Sequence, residues 1–125
     1  MIHLLLIDDE PRVARALEFA ISGRDVQLET INAPVDIATQ VAAIAPDAIL
    51  LDLGLAEVNG LDVCRTLKQD RQLGEIPVLV LSGKTDGSTK AASFAAGADD
   101  FIAKPFVPTE LIARVEAQLK RRRVK

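Results

Sequence analysis

The sequence has little of several features that mark specialised classes of protein. It contains one cysteine, Cys64, which excludes an internal disulfide, and its place in a helical pattern indicates a small core residue rather than a nucleophile. No apolar run approaches the roughly 20 residues that are needed to cross a bilayer. The net charge of -3 gives no general affinity for nucleic acid or for anionic membranes. We therefore expect no membrane association and no direct nucleic-acid binding by this domain.

The two ends of the chain also carry information. Met1 leads directly into a predicted strand and leaves no room for a signal peptide, so we expect a cytoplasmic protein. The 125 residues are enough for one domain with a full core. Basic residues are concentrated at Lys120 to Arg123. We predict one domain over 1–119, followed over 120–125 by a basic tail or by the start of a linker to an effector domain that is truncated here.

What the chain does have is five apolar runs, each followed by a helical pattern. The runs cover residues 2–7, 26–31, 48–51, 76–81 and 101–103. The second run alternates apolar and polar residues, which is typical of an edge strand, and the third is apolar throughout, which is typical of a strand covered on both faces. Five strand-helix units with right-handed crossovers predict an α/β fold, a doubly wound five-stranded parallel sheet with five helices.

Two segments of this plan are predicted to be less firmly packed. The fourth helix, over 86–96, carries few large apolar residues and should pack least firmly of the five. The segment from Lys68 to Glu75 is polar, and we expect it to be exposed.

Charged and polar residues follow four of the five predicted strands. They are Asp8, Asp9, Asp52, Ser82 and Lys104. The carboxyl ends of parallel strands meet at one edge of the sheet, so these side chains should lie together. We expect Asp52 to be accessible and to have a chemical role rather than a structural one. An aspartate that only caps the following loop is the alternative. Three neighbouring carboxylates must hold a proton or bind a cation, and a site with only oxygen ligands suits Mg²⁺.

The same edge has what a phosphoryl group needs. Lys104 offers an ammonium group and Ser82 a hydroxyl on the side of the phosphoryl group away from the metal, and Asp52 offers an oxygen nucleophile. This equipment is typical of aspartyl-phosphate chemistry, in which stabilisation of the equatorial oxygens provides most of the catalysis.

Over nearly the whole chain, from Ile2 to Leu119, the sequence resembles the receiver domain of two-component response regulators. Five motifs, weak singly and specific together, carry the resemblance: Asp8-Asp9, Asp52 with Gly60, Ser82, Gly97-Ala98-Asp99-Asp100-Phe101, and Lys104-Pro105. The resemblance implies a flavodoxin-like sheet with strand order 2-1-3-4-5. It also implies a signalling phosphoacceptor, which catalyses only its own phosphorylation and dephosphorylation and is not otherwise an enzyme.

The resemblance assigns roles to single residues. Asp52 would accept a phosphoryl group from the phosphohistidine of a histidine kinase or of a histidine phosphotransfer protein. Asp9 and Asp52 would bind Mg²⁺ directly, Asp8 through water, and Gly54 through its carbonyl. Lys104 and Ser82 would bind the phosphoryl oxygens, and the peptide bond between Lys104 and Pro105 would be cis.

A conformational switch is implied as well. Phosphorylation would draw the Ser82 hydroxyl toward the anion, and the Phe101 ring would move inward, which would change the surface of helix 4, strand 5 and helix 5. That surface supports a phosphorylation-dependent homodimer in some relatives, and here two charged pairs could contribute to it: Lys90 with Glu110, and Asp100 with Arg114.

The sequence departs from the family pattern in the loop after Asp52, where Leu55-Ala56 replaces the usual Met-Pro. Gly54 and Lys84 flank the phosphoryl position. A bare Gly54 favours attack by water and Lys84 favours a stable phosphate, and our hypothesis is a short-lived phosphoform.

Two other functions would use the same fold. A flavodoxin-like electron carrier must hold a flavin phosphate in its first loop, where Asp8 and Asp9 would repel it. A degenerate receiver would act only as a protein-interaction module, although every residue that the chemistry needs is present. The output stays open between DNA binding and a hybrid-kinase or cyclic-dinucleotide type.

Overall fold

Strands and helices alternate along residues 1–123, which the computed structural model describes. The strands are β1 (Ile2–Ile7), β2 (Val26–Ile31), β3 (Ala48–Asp52), β4 (Val78–Ser82) and β5 (Asp100–Ala103). The helices are α1 (Pro11–Ile21), α2 (Ile37–Ile44), α3 (Gly60–Gln69), α4 (Gly87–Ala95) and α5 (Pro108–Arg123). All strand pairs are parallel and the order is β2-β1-β3-β4-β5, so the predicted fold class and strand order are confirmed.

Alternation along the central strands divides the core into two layers. Leu5, Ile49 and Val80 face a layer that α2 and α3 complete, whereas Leu4 and Leu50 face a layer that α1 and α5 complete. Successive side chains of a strand point to opposite faces, so a strand that is covered on both sides must be apolar at every position. Each fully buried leucine contributes about 1.5 to 3 kcal/mol relative to an exposed one. The edge position of β2 agrees with its predicted alternation.

Local sequence signals set the start of α3 and hold it close to the loop after β3. The Asn59 side chain accepts a hydrogen bond from the N–H of Leu61 at 2.9 Å and caps α3. Gly60 follows, and a Cβ there would lie 2.7 Å from the Cα of Leu53. Only glycine allows this close approach, which keeps the loop after β3 against the start of α3.

Helix α4 has few anchors, as predicted. Its only buried residue is Ser93, whose hydroxyl donates to the Thr89 carbonyl at 2.9 Å, and the Phe94 side chain is 45% exposed. Little apolar surface therefore holds this helix to the sheet, which is a property of elements that shift at low free-energy cost.

The prediction that Lys68 to Glu75 is exposed is wrong for part of that segment. Leu73 is buried in the core. Lys68 is largely covered, donating from Nζ to the Ile76 carbonyl at 3.0 Å and to Asp99 Oδ2 at 2.9 Å. The polar letters hid these contacts because the partner of Lys68 comes from the distant loop before β5.

Cys64 is a buried free thiol, as predicted, and burial raises its pKa to about 11. Among the helices of the described residues, none has both the length and the hydropathy that a bilayer crossing requires.

The predicted boundary between 119 and 120 falls inside α5, which continues to Arg123. The predicted tail over 120–125 is therefore helical through 123, and residues 124 and 125 lie outside the described part of the chain.

Candidate functional site

The strand order brings the acidic residues together at one edge of the sheet. Ile7 of β1 lies opposite Leu51 of β3, so the residues that follow them, Asp8 and Asp52, are neighbours although β2 separates the two strands in the sequence. Carboxylate oxygens of Asp8, Asp9 and Asp52 all lie within 4.8 Å of one another. The structure thus groups the three acids that the sequence analysis selected.

Lys104 reaches the same place from the other side. Its backbone N–H donates to the Ser82 carbonyl at 2.8 Å, which extends the pairing of β4 with β5 by one residue. Its Nζ donates to Asp52 Oδ1 at 2.8 Å and forms a salt bridge that is largely shielded from solvent. The peptide bond between Lys104 and Pro105 is cis, as expected.

Asp52 was predicted to be accessible, and that prediction is wrong. Its exposed fraction is 3%, because it is the last residue of β3 rather than the first of a loop, and it lies opposite Leu81 in the sheet. The N–H of Gly54 donates to Asp52 Oδ1 at 2.9 Å. The alternative of a loop-capping aspartate explains that bond, but it does not explain a buried carboxylate beside two others and a lysine.

Asp8 has the features that most favour a cation site. It is 1% exposed, its Oδ1 accepts from the Glu10 N–H at 2.8 Å, and its Oδ2 is buried without a hydrogen-bond partner among the described residues. Burial raises the pKa of this carboxyl to about 6. The N–H of Glu10 and the charge of Lys104 oppose the shift, whereas the charge of Asp52 adds to it. A partnerless buried oxygen in an all-oxygen donor set fits a hard divalent cation such as Mg²⁺.

Asp9 differs from the other two acids because it is exposed to solvent. Its Oδ2 accepts a hydrogen bond from the N–H of Ala56 at 3.0 Å, which joins the loop after β1 to the loop after β3. The third predicted ligand is therefore held by a bond between two loops.

The two predicted switch residues are buried. Ser82 uses its hydroxyl within its own loop, where Oγ donates to the Lys84 carbonyl at 3.1 Å and accepts from the Lys84 N–H at 3.0 Å. Phe101 is 8% exposed and packs in the core layer of α2 and α3. Its movement on phosphorylation stays a prediction.

The family model for the response regulator receiver domain matches residues 4–116. The chain belongs to this family. The receiver domain is 39% identical over 119 residues to the DNA-binding response regulator MtrA of Mycolicibacterium smegmatis, a match that covers 95% of this chain and 51% of the relative. It is 40% identical over 121 residues to the transcriptional regulatory protein KdpE of Mycobacterium tuberculosis, covering 97% and 52%.

A solved structure agrees with these relatives. A protein from Chloroflexus aurantiacus that is described as a response regulator superposes with a TM-score of 0.87 at 34% identity, over 95% of this chain and 98% of the other. The receiver domain spans about half the length of the curated relatives that it matches.

Sequence reasoning missed one class of group in this receiver domain. Each acid accepts a hydrogen bond from a backbone N–H, and the donors belong to Glu10, Gly54 and Ala56. Since every residue except proline carries this group, no letter of the sequence marks which ones turn toward the site. The predicted role of the Gly54 carbonyl stays a prediction.

The pKa of Asp8 gives a prediction that depends on pH. A raised pKa stabilises the folded state only while the carboxyl holds its proton, so this contribution is complete below 3.8 and is lost as the pH rises through about 6. In the absence of Mg²⁺, Asp8→Asn should therefore raise the Tm by about 3 to 8 °C at about pH 8 and change it little at about pH 4. Thermal melts followed by circular dichroism, with a chelator present, measure both values.

Asp62→Asn is the matched control, since it removes the same charge from an exposed position of α3. It should change the Tm by less than about 2 °C at either pH. A lower Tm for Asp8→Asn at the higher pH would contradict the claim that the ionised Asp8 carboxylate destabilises the fold.

Proposed function

We propose that this receiver domain is a phosphoacceptor, in which Asp52 takes a phosphoryl group from a phosphohistidine of a histidine kinase or of a histidine phosphotransfer protein. One observation carries the proposal: the buried Asp52 carboxylate lies within 4.8 Å of two further carboxylates and 2.8 Å from the Lys104 ammonium. A nucleophilic oxygen, a candidate cation site and a fixed positive charge thus meet at one point. Receiver domains are signalling modules. We propose in addition that this one catalyses its own phosphorylation and dephosphorylation.

The residues of the chain divide the work between them. Asp8, Asp9 and Asp52 would hold Mg²⁺ together with the Gly54 carbonyl, and the ion would neutralise charge on the phosphoryl oxygens. An Asp52 oxygen would attack phosphorus, so that an O–P bond forms while the N–P bond to the donor imidazole breaks and that nitrogen recovers a proton from solvent. The Lys104 ammonium, which now contacts Asp52, would donate to a phosphoryl oxygen.

We propose that a small phosphoryl donor approaches Asp52 through a cleft that adjoins it at Gly54. It has a volume of about 340 Å³ and is lined in part by Gly54, Ser82, Gly83 and Lys84. A Cβ at Gly54 would stand 3.4 Å from Asp52 Oδ1, so the absence of a side chain there leaves one flank of the carboxylate open. This opening supports the hypothesis of a short-lived phosphoform, because water can use it too.

The switch is proposed to begin at Ser82. Its hydroxyl must give up the bond that it donates to the Lys84 carbonyl before it can donate to a phosphoryl oxygen, and that exchange would pull on the loop that leads into α4. Because α4 buries only Ser93, a small free-energy change at the loop can move the helix. The affected surface comprises α4, β5 and α5.

The surface of α4, β5 and α5 is also the proposed interface of a homodimer that forms on phosphorylation. Arg114 Nη1 lies 3.1 Å from Asp100 Oδ1 within one chain, so an intermolecular bond between these residues would replace an existing one. Exposed pairs of this kind contribute about 0 to 1 kcal/mol each, and such a dimer would need further contacts.

The names of two relatives favour a DNA-binding output over a hybrid-kinase or cyclic-dinucleotide type. MtrA is named as DNA-binding and KdpE as a transcriptional regulatory protein, and this chain covers about half of each. We propose that the receiver domain controls an attached effector domain of that class in the cytoplasm, rather than contacting nucleic acid itself.

The experiment that tests the function uses acetyl phosphate as the donor. With Mg²⁺ present, intact mass spectrometry should show the addition of one phosphoryl group, and chelation of Mg²⁺ should prevent it. Beryllofluoride with Mg²⁺ should change the amide NMR spectrum of β4, α4 and β5. No addition and no Mg²⁺-dependent spectral change would favour a degenerate receiver that acts only as a protein-interaction module.

A further inference from the structure

We propose that the backbone N–H of Ala56 is a positioning group of the metal site, because it fixes the Asp9 carboxylate beside Asp8 and Asp52 from a loop of another strand. The inference rests on the proposed function, since it concerns how the same site holds its cation. The donor is a backbone group, so it does not depend on which side chain position 56 carries, unless that residue is proline.

The hydrogen bonds of the cluster set Asp9 apart. Asp8 and Asp52 each accept from an N–H two positions further along, at Glu10 and Gly54, so those bonds are local. Asp9 accepts from Ala56, which is 47 positions away. Of these three bonds, the one to Asp9 is the one that ties the loop after β1 to the loop after β3.

Asp9 also needs such a bond more than its neighbours do. Asp8 and Asp52 are buried and packed, and Asp52 is held by Lys104 in addition. Asp9 is exposed, so without a partner its side chain would be free to change rotamer. A charge-assisted hydrogen bond holds it in one orientation before the cation arrives, and the ordering cost is then not subtracted from the binding free energy.

The donor itself is well anchored. Leu55, directly before Ala56, is 8% exposed and packs in the core, so the loop cannot swing outward there. The Ala56 side chain is exposed. The position therefore tolerates different side chains without loss of the bond, but proline, the residue that the family pattern has here, cannot donate.

A second observation supports a cation at this cluster. Asp8 Oδ2 is buried without a hydrogen-bond partner and lies in the same group of oxygens. An unpaired acceptor is costly unless a cation or a water fills the site. The bond from Ala56 thus orients the Asp9 carboxylate toward the group of oxygens in which Asp8 Oδ2 has no hydrogen-bond partner.

The test compares two substitutions in the full chain. Ala56→Pro removes the backbone N–H, whereas Ala56→Ser, the matched control, keeps the backbone N–H and changes only an exposed side chain. Isothermal titration calorimetry with Mg²⁺ near neutral pH should give a Kd that is about 3- to 10-fold higher for Ala56→Pro than for the unchanged chain. For Ala56→Ser, the Kd should stay within about twofold of that of the unchanged chain. At saturating Mg²⁺, both variants should still be labelled at Asp52 by acetyl phosphate. An Ala56→Pro variant that is folded by circular dichroism and binds Mg²⁺ as tightly as the unchanged chain would overturn the proposal.

A second measurement keeps the inference testable if the proline variant does not fold. In the absence of Mg²⁺, hydrogen exchange of the Ala56 amide should be about tenfold faster in Asp9→Ala than in the unchanged chain, because the acceptor is gone. The Gly54 amide, whose acceptor is Asp52, should exchange at the same rate in both. Equal rates at Ala56 would overturn the proposal.

The two proposals fail in different ways. If the unchanged chain neither binds Mg²⁺ nor accepts a phosphoryl group, both are wrong. If it does both, while Ala56→Pro and Asp9→Ala leave Mg²⁺ affinity and Ala56 exchange unchanged, the role of Ala56 alone is wrong.

Discussion

Asp52→Asn is expected to lower labelling by acetyl phosphate at least about 100-fold, because an amide oxygen is a poor nucleophile and gives the cation no negative charge. The fold should persist. An asparagine has nearly the same shape, and its side-chain oxygen can still accept from the Gly54 N–H, which the structure places 2.9 Å from Asp52 Oδ1. Intact mass spectrometry after incubation with acetyl phosphate and Mg²⁺ measures the labelling, and thermal melting checks the fold.

Asp62→Asn serves as its control, since it removes a carboxylate from an exposed position of α3 away from the cluster. Labelling of that variant should equal that of the unchanged chain. If Asp52→Asn were labelled normally, another residue would be the acceptor, and peptide mapping would identify it.

Lys104→Met should have the second large effect, and it should appear in stability as well as in chemistry. The substitution keeps the length of the side chain but leaves Asp52 buried without its cation. Breaking one partner of a buried pair costs about 3 to 5 kcal/mol, and because Lys104 keeps some contact with solvent we expect the free energy of unfolding to fall by about 2 to 4 kcal/mol. Urea denaturation in the presence of a chelator measures this value.

Magnesium should return part of that loss, since the ion would supply the positive charge that the ammonium gave. In the same variant, beryllofluoride should no longer shift the amide signals of α4 and β5. Lys90→Met is the control, because Lys90 is exposed on α4, and it should change stability by less than about 0.5 kcal/mol. A loss of stability that is the same with and without Mg²⁺ would mean that Lys104 acts in packing rather than as a charge.

Most of the architecture follows from patterns that lie within single segments. The alternation over Val26–Ile31 predicts an edge strand and the unbroken apolar run of β3 predicts a central one, and the structure has both. The rule that parallel strands end at one edge then brings Asp8, Asp52 and Lys104 together without knowledge of any contact.

The remaining features depend on contacts between distant segments, and the sequence letters do not report those. The burial of Asp52 depends on the register between β3 and β4, and the burial of Leu73 depends on how its turn packs after α3. Ser82 was selected for its hydroxyl, but its present partner is the Lys84 backbone. The most local features were predicted best, and backbone partners were not predicted at all.

The ends of β1, β3 and β5 lie far apart in the chain, and this arrangement bears on how the protein folds. Lys104 and Asp52 are separated by 52 positions, so their bond forms only after β5 docks beside β4. Contacts between such distant residues form slowly because a long loop must close first. A chain that ended after β4 would bring the three acids together, but it would lack the ammonium group that Asp52 contacts in the complete fold.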